Sequence, residues 1–224
     1  MAGSKGWVSM TGVPTEAESR DEEAAAGRAA HTALPAVAQP VDRTIVLVGL
    51  MGAGKSCIGK RLAAHLHLPF TDADREIEAA AGCSISDIFA RHGEQAFRDG
   101  ERRVIQRLLG NPVHVLATGG GAFMDPNTRA LIKERAFSIW LRADLDLLVK
   151  RVARRNERPL LQNVDQRQKL AELMGIRYPV YAEADLTVDS TDGPPEATLA
   201  RVIAALNDHR PAAHSTFAPR KVAP

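Results

Sequence analysis

The apolar positions of this chain change their period as the chain runs. TIVLVGL (44–50) is an unbroken aliphatic run rich in β-branched residues, the mark of a strand covered on both faces. From about Lys55 to His67 the spacing becomes helical, with Ile58, Leu62 and Leu66 on one face. LPFTDAD (68–74) predicts a second strand ending in acids. Helices are expected over 75–81, 84–92 and 94–109, followed by a buried strand in VHVLATGGG (113–121) that runs into glycines. A helix near 126–134 leads to the strand FSIWLRA (137–143). Helices near 144–155 and 166–181, the strand DLTVDS (185–190) and a helix over 194–207 complete the pattern. Such alternation predicts an α/β fold of three layers, α/β/α, around a central parallel sheet of five strands. No internal repeat is visible.

The periodic part is flanked by two stretches without period. Residues 1–42 mix Ala, Gly, Ser, Pro and Glu and read as a flexible N-terminal extension with a short helix near 16–30. HRPAAHSTFAPRKVAP (209–224) holds three prolines and reads as a flexible tail. The folded unit is then 43–208.

Composition narrows the function classes. The 224 residues are 45% hydrophobic and 25% charged, the balance of one soluble domain with tails. Aromatics make up 4%, which argues against stacking platforms for single strands. The net charge of +2 is unevenly spread: residues 1–40 hold three basic and five acidic residues, and 209–224 hold three basic and no acidic ones. A globally basic nucleic-acid binder is disfavoured, and no nucleic-acid partner is expected. No apolar run reaches the roughly eighteen residues of a membrane span. Cys57 and Cys83 form no CxxC, so a disulfide scaffold is excluded, and a reducing, cytoplasmic home is expected. The N-terminus lacks the basic-then-apolar pattern of a secretory signal, and it has too many acids for a transit peptide.

The strongest chemical signal is Gly49-Leu-Met-Gly-Ala-Gly54-Lys55-Ser56, which matches G-x-x-x-x-G-K-[ST] between a buried strand and a helix start. The glycines let the backbone curl so that its N–H groups face phosphate oxygens. The helix start adds partial positive charge. Lys55 reaches the β- and γ-phosphates, and the Ser56 hydroxyl suits Mg²⁺. Cys57 reads as a small buried helix residue. The chain has no base-specific Asn-Lys-x-Asp element of GTPases and no LSGGQ-like element of transport ATPases, so a small phosphotransferase remains.

Four features suggest the acceptor side. Asp72 and Asp74 sit at i, i+2 at the end of a strand, so an extended backbone puts both carboxylates on one side. One can serve the metal shell and the other a hydroxyl; the competing reading is a solvated turn that caps a helix. Glu76 and Glu78 read as exposed helix residues. Gly119, Gly120 and Gly121 allow backbone amides to approach a ligand closely. Arg98 offers a fork suited to a carboxylate, although a surface arginine is the default. Finally, residues 150–169 carry seven basic and two acidic residues, the composition of a solvated helix or of a mobile lid (about 154–168) that closes over polyphosphate and excludes water.

Taken in order, GLMGAGKSCIGKRLA (49–63), TDAD (71–74), SISDIFARHGEQAFRDGE (84–101), TGGGAF (118–123), NERPLL (156–161) and MGIRYPVYAEAD (174–185) resemble the shikimate kinase family over roughly 44–205. That family is similar in fold to the nucleoside monophosphate kinases. The resemblance implies ATP and Mg²⁺, with shikimate as the small-molecule partner of a monomer. It implies that Gly52, Ala53, Gly54, Lys55, Ser56 and Cys57 hold ATP phosphates. Ser56 would bind the metal, with Asp72 behind it. Asp74 would contact the shikimate hydroxyls; whether it takes the 3-hydroxyl proton as base or only orients that hydroxyl stays open, and Lys55 and Arg158 would be its catalytic companions. Arg98 and Arg177 would clamp the carboxylate, Gly119 to Gly121 would add backbone contacts, and Glu101 would orient Arg98. Arg151 and Pro195 would flank the adenine. Cys57 stands where the family commonly has Thr, and the N-terminal extension is unexplained by the resemblance. A gluconate- or nucleotide-type kinase of the same fold, and a non-catalytic ATP-binding regulator, stay open as alternatives.

Overall fold

The computed structural model describes residues 34–38, 41–154 and 165–209. The chain divides into two units, Met1–Leu34 and Pro35–Pro224, and the architecture below belongs to the second. Five strands, β1 (Thr44–Val48), β2 (Phe70–Asp72), β3 (Val115–Ala117), β4 (Ala136–Arg142) and β5 (Leu186–Asp189), pair in the order β2-β3-β1-β4-β5, all parallel. The seven α-helices among the described residues are α1 (Lys55–Leu66), α2 (Ala73–Ala81), α3 (Ile85–Leu108), α4 (Pro126–Arg135), α5 (Leu145–Ala153), α6 (Gln166–Tyr181) and α7 (Pro195–Asp208).

β1 is central because every one of its residues is buried, and a strand of that composition has no face to give to water. Its register against β3 is Ile45 with Val115 and Leu47 with Ala117; against β4 it is Val46 with Ser138 and Val48 with Trp140. Val46, Leu47, Leu116, Ile139 and Leu141 are wholly buried, and Leu62, Ile105, Ile132, Leu148, Val202 and Ile203 pack onto the sheet from the helices. Each such side chain contributes about 2 kcal/mol of burial. From β1 the chain crosses first to β2, returns to β3, then passes over β1 to β4. The strand order therefore reverses beside β1, and an open α/β sheet holds its ligands in the crevice at such a point.

Several boundaries differ from those the periodicity predicts, each for a local reason. The second strand stops at Asp72 rather than at residue 74, because the Asp72 carboxylate accepts a hydrogen bond from the Asp74 N–H and starts α2. Asp74 thus lies in a helical turn, not on a strand beside Asp72. The third strand covers only Val115–Ala117; the Thr118 N–H still donates to the Leu47 carbonyl of β1 (3.2 Å), and the chain then turns at residues 120–121. The two helices expected over 84–92 and 94–109 form one element with a kink at Gly93 (φ 78°, ψ 176°), opened by the capping box of Ser84 and Asp87. Residues 35–38, assigned by pattern to the extension, are held to the domain: Asn207 accepts from the Ala38 N–H (2.8 Å) and donates to the Ala36 carbonyl (3.1 Å). The expected lid and Arg158 fall mostly in 155–164, outside the described residues.

The turn from β1 into α1 leaves no room for a side chain at its first residue. Gly49 has φ +137°, and a Cβ there would lie 2.7 Å from the Leu141 carbonyl oxygen of β4. Gly49→Ala is therefore expected to cost about 2 kcal/mol or more. The check is a urea melt, in which the midpoint falls while the slope stays that of the parent.

Candidate active site

The crevice beside β1 opens as a cleft of about 640 Å³ whose walls come from the loop after β1, the Gly119–Gly121 turn, α2, α3, α5, α6 and the start of α7. Every sequence candidate among the described residues lines it, except Ala53, which is buried beneath the loop.

One half is built for phosphate. Gly52 and Gly54 take positive φ (83° and 102°), which curls the loop. Gly54 caps α1 with no side chain, so the first-turn N–H groups of α1 have no side-chain cap. The Lys55 ammonium donates to the carbonyls of Gly49 (2.7 Å) and Leu50 (3.0 Å), which straps it across the loop. The Ser56 hydroxyl donates to Asp72 Oδ2 at 2.7 Å, so two hard oxygen donors stand together at the end of β2. Among the described residues no group of three or more His, Cys, Asp or Glu could cage a metal ion. A hydroxyl and one carboxylate fit a Mg²⁺ that keeps waters and arrives on phosphate oxygens. Cys57 is half-buried, not buried as its spacing suggested; its Sγ accepts from the Arg61 guanidinium at 3.0 Å, one turn further along the same helix.

The other half gathers charged side chains around the Gly119–Gly121 turn. Arg98, on α3, donates from Nη1 to Glu101 (2.8 Å) and from Nη2 to Glu94 (3.1 Å). Glu101 is 3% exposed, and its second oxygen has no partner. Burial pushes the Glu101 carboxyl above the usual range against the pull of Arg98; Asp74 nearby adds to the rise and Arg177 opposes it. Burial also works against the Arg98 charge, but Glu101 and Glu94 more than offset it. A Cβ on Gly119 would lie 2.8 Å from both Asp74 Oδ1 and Glu101 Oε1, and one on Gly121 would lie 2.4 Å from Arg98 Nη1. Backbone without side chains is what lets these charged groups converge. Arg177 Nη1 donates to the Gly120 carbonyl at 2.9 Å.

At the far rim, Arg151 donates to Ser190 Oγ (2.9 Å), the Thr191 carbonyl (2.8 Å) and the Gly52 carbonyl (3.3 Å). Pro195 opens α7 beside it. Other parts of the basic 150–169 stretch pair outward: Lys150 with Asp192, Arg167 with Asp146, and Lys169 with Glu172. Glu76 and Glu78, expected to be exposed, are half-buried. Glu76 pairs with Arg107 at 2.8 Å, and Glu78 accepts from the Ile85 N–H at 3.0 Å.

Two residues that bond to groups of the cleft escaped the sequence reading. Ser190 is a lone serine after β5, with no local signal of the arginine it meets. Tyr181 is wholly buried and its hydroxyl donates to the Gly120 carbonyl. Its signal was present: it lies four residues after Arg177 on one helix, and such residues share a face.

Residues 51–207 match the family described as "Shikimate kinase". The chain is similar to the shikimate kinase of Paramagnetospirillum magneticum, 62% identical over 172 residues that cover 77% of this chain and 88% of that one. It is 59% identical to the shikimate kinase of Caulobacter vibrioides, over 73% of this chain and 82% of the other. Among solved structures it resembles shikimate kinase from Acinetobacter baumannii in complex with shikimate (38% identity, TM-score 0.71, 75% of this chain and 95% of that one).

The raised Glu101 carboxyl predicts a pH dependence. A folded value above 4.5 means that the folded state holds the proton longer than the unfolded chain. Its stabilising share is full below 4.5 and is lost as pH rises through the folded value. Glu101→Gln removes that titration. The urea stability of the parent minus that of the variant is therefore expected to fall as pH climbs from 4.5 toward neutrality, and a constant difference would contradict it.

Proposed function

The chain belongs to the shikimate kinase family, and on that premise we propose how its cleft transfers the γ-phosphoryl group of ATP to the 3-hydroxyl of shikimate, giving shikimate 3-phosphate and ADP. The protein is an ATP-dependent kinase with shikimate as acceptor. The observation that carries the site reading is the contact between its two halves. Gly120, on the acceptor turn, has Gly49 O and Met51 N of the phosphate loop within 3.6 Å of its would-be Cβ. An acceptor held by that turn lies against the end of the polyphosphate.

Catalysis here is positioning and charge. The loop amides and Lys55 bind the phosphates, and Lys55 has only to turn from the Gly49 and Leu50 carbonyls to reach them. Ser56 and Asp72 would hold Mg²⁺, which would neutralise charge on the β- and γ-phosphates. Arg98 and Arg177 clamp the shikimate carboxylate, and Glu101 and Glu94 keep Arg98 in place before substrate arrives. With its carboxylate held on one side, shikimate presents its hydroxyls to Asp74. Asp74 orients the 3-hydroxyl and takes its proton as the new P–O bond forms. Arg151 and Pro195 flank the adenine, with Ser190 and Thr191 fixing the guanidinium. Arg158, outside the described residues, is the arginine assigned to the transferring group.

ADP release measured with and without shikimate tests the reaction: release is expected to depend on shikimate, and gluconate or a nucleoside monophosphate is not expected to substitute. A chain that releases ADP equally without shikimate is not this kinase. The clamp makes a sharper claim. Arg98→Ala or Arg177→Ala is expected to raise KM for shikimate roughly 30-fold or more, the loss of a charge-assisted pair, with little change for ATP. Equal weakening of both substrates would defeat the assignment.

A further inference from the structure

The acceptor turn is held from behind by a group that the reaction scheme above leaves idle. The Gly120 carbonyl receives two donors, Arg177 Nη1 at 2.9 Å and the Tyr181 hydroxyl. Both come from one face of α6, four residues apart. Tyr181 is wholly buried, with its ring near those of Trp140 (6.0 Å between centroids) and Tyr178 (6.2 Å). Arg177 also acts on the Tyr181 hydroxyl itself. The remaining carbonyls of the turn are committed locally, Gly119 to the Ala122 N–H and Gly121 to the Met124 N–H.

A trans peptide is planar, and no cis bond occurs among the described residues. Holding the Gly120 oxygen therefore fixes the Gly121 N–H on the opposite side of the same plane. Two consecutive glycines have no side chains to fix that plane by themselves, and a free Gly-Gly peptide rotates easily. We propose that Tyr181 is a positioning residue for acceptor recognition: by donating with Arg177 to the Gly120 carbonyl, it locks the Gly120–Gly121 peptide in the orientation that receives the acceptor's carboxylate. This rests on the reading of Arg177 as part of the carboxylate clamp, since its bond to the Gly120 carbonyl puts the turn beside that carboxylate. The same hydrogen bonds tie Arg177 to the turn, so the arginine and the peptide are set in place together.

The hydroxyl suits the task because it does not ionise in the working range. Burial pushes Tyr181 up to about 12, against the opposing pull of Arg177, so it stays a donor. Neighbouring Tyr178 supplies an internal comparison. It lies on the same helix and its hydroxyl donates to the Ala143 carbonyl, away from the turn.

The experiment uses the full chain with Tyr181→Phe and Tyr178→Phe, each of which keeps the ring. For Tyr181→Phe we expect KM for shikimate, and Kd from calorimetric titration, to rise about three- to tenfold, the range of one neutral hydrogen bond, with KM for ATP unchanged. Tyr178→Phe is expected to leave KM for shikimate at the parent value. With the methyl ester of shikimate, which lacks the carboxylate charge, the ratio of Tyr181→Phe to parent is expected to shrink toward one. The inference is overturned if Tyr181→Phe matches the parent, if ATP and shikimate weaken together, if Tyr178→Phe reproduces the effect, or if the effect persists with the ester. A parent that neither turns over nor binds shikimate overturns the substrate reading and this inference with it. A parent that does both beside a normal Tyr181→Phe overturns the inference alone.

Discussion

Backbone polar groups at the end of β1 have to find partners outside the sheet, and the functional half of the molecule follows from how they do so. β1 is covered on both faces and flanked by β3 and β4, so the chain can leave it only at its carboxyl end. There the Gly49 backbone passes so near Leu141 that no side chain fits. The loop curls through Gly52 and Gly54, and α1 begins without a side-chain cap. A helix start with its first N–H groups uncapped has partial positive charge to offer, and an anion is its natural complement. A cation lies beside it, since Lys55 rests on the loop's own carbonyls.

The acceptor side solves a different problem, that of keeping charges inside a cleft before a ligand arrives. An isolated buried carboxylate or guanidinium is costly, and removal of one partner leaves the other uncompensated. Arg98 and Glu101 answer this by pairing at 2.8 Å, with Glu94 at the exposed end. The compensation is incomplete on the Glu101 side, where one oxygen stays without a partner and the carboxyl is raised. The guanidinium of Arg98 is thus held at the cleft by two acids of its own helix. Arg177 is fixed likewise, by the Gly120 carbonyl at 2.9 Å rather than by an acid.

Legibility in the sequence followed the range of the interactions involved. The phosphate loop could be read because all of its parts lie within eight residues and its geometry is a property of the local backbone. The alternation of strands and helices could be read because burial on both faces writes an unbroken apolar run, and Gly93 marked the break in α3 correctly. The boundary at Asp72 was misjudged because one carboxylate serves as both strand end and helix cap, and periodicity does not weigh a cap against one more strand residue. Glu76, Glu78 and Cys57 were misjudged in exposure because a single helix face does not reveal what packs beside it: Arg107 and Ile85 for the first two, and Arg61 for the third.

By itself, then, the sequence determined the fold class, the loop motif with its lysine and serine, and the charged residues that line the cleft among the described residues. These depend on local propensity, on periodicity and on residues close together in the chain. The tertiary structure alone decided which of those charges meet. The strand order β2-β3-β1-β4-β5 brings Gly120 to the phosphate loop and to Tyr181, and Arg151 to Ser190. Strand order is set by how the layers pack together, and a pattern that repeats every two or 3.6 residues carries no record of which strand lies beside which.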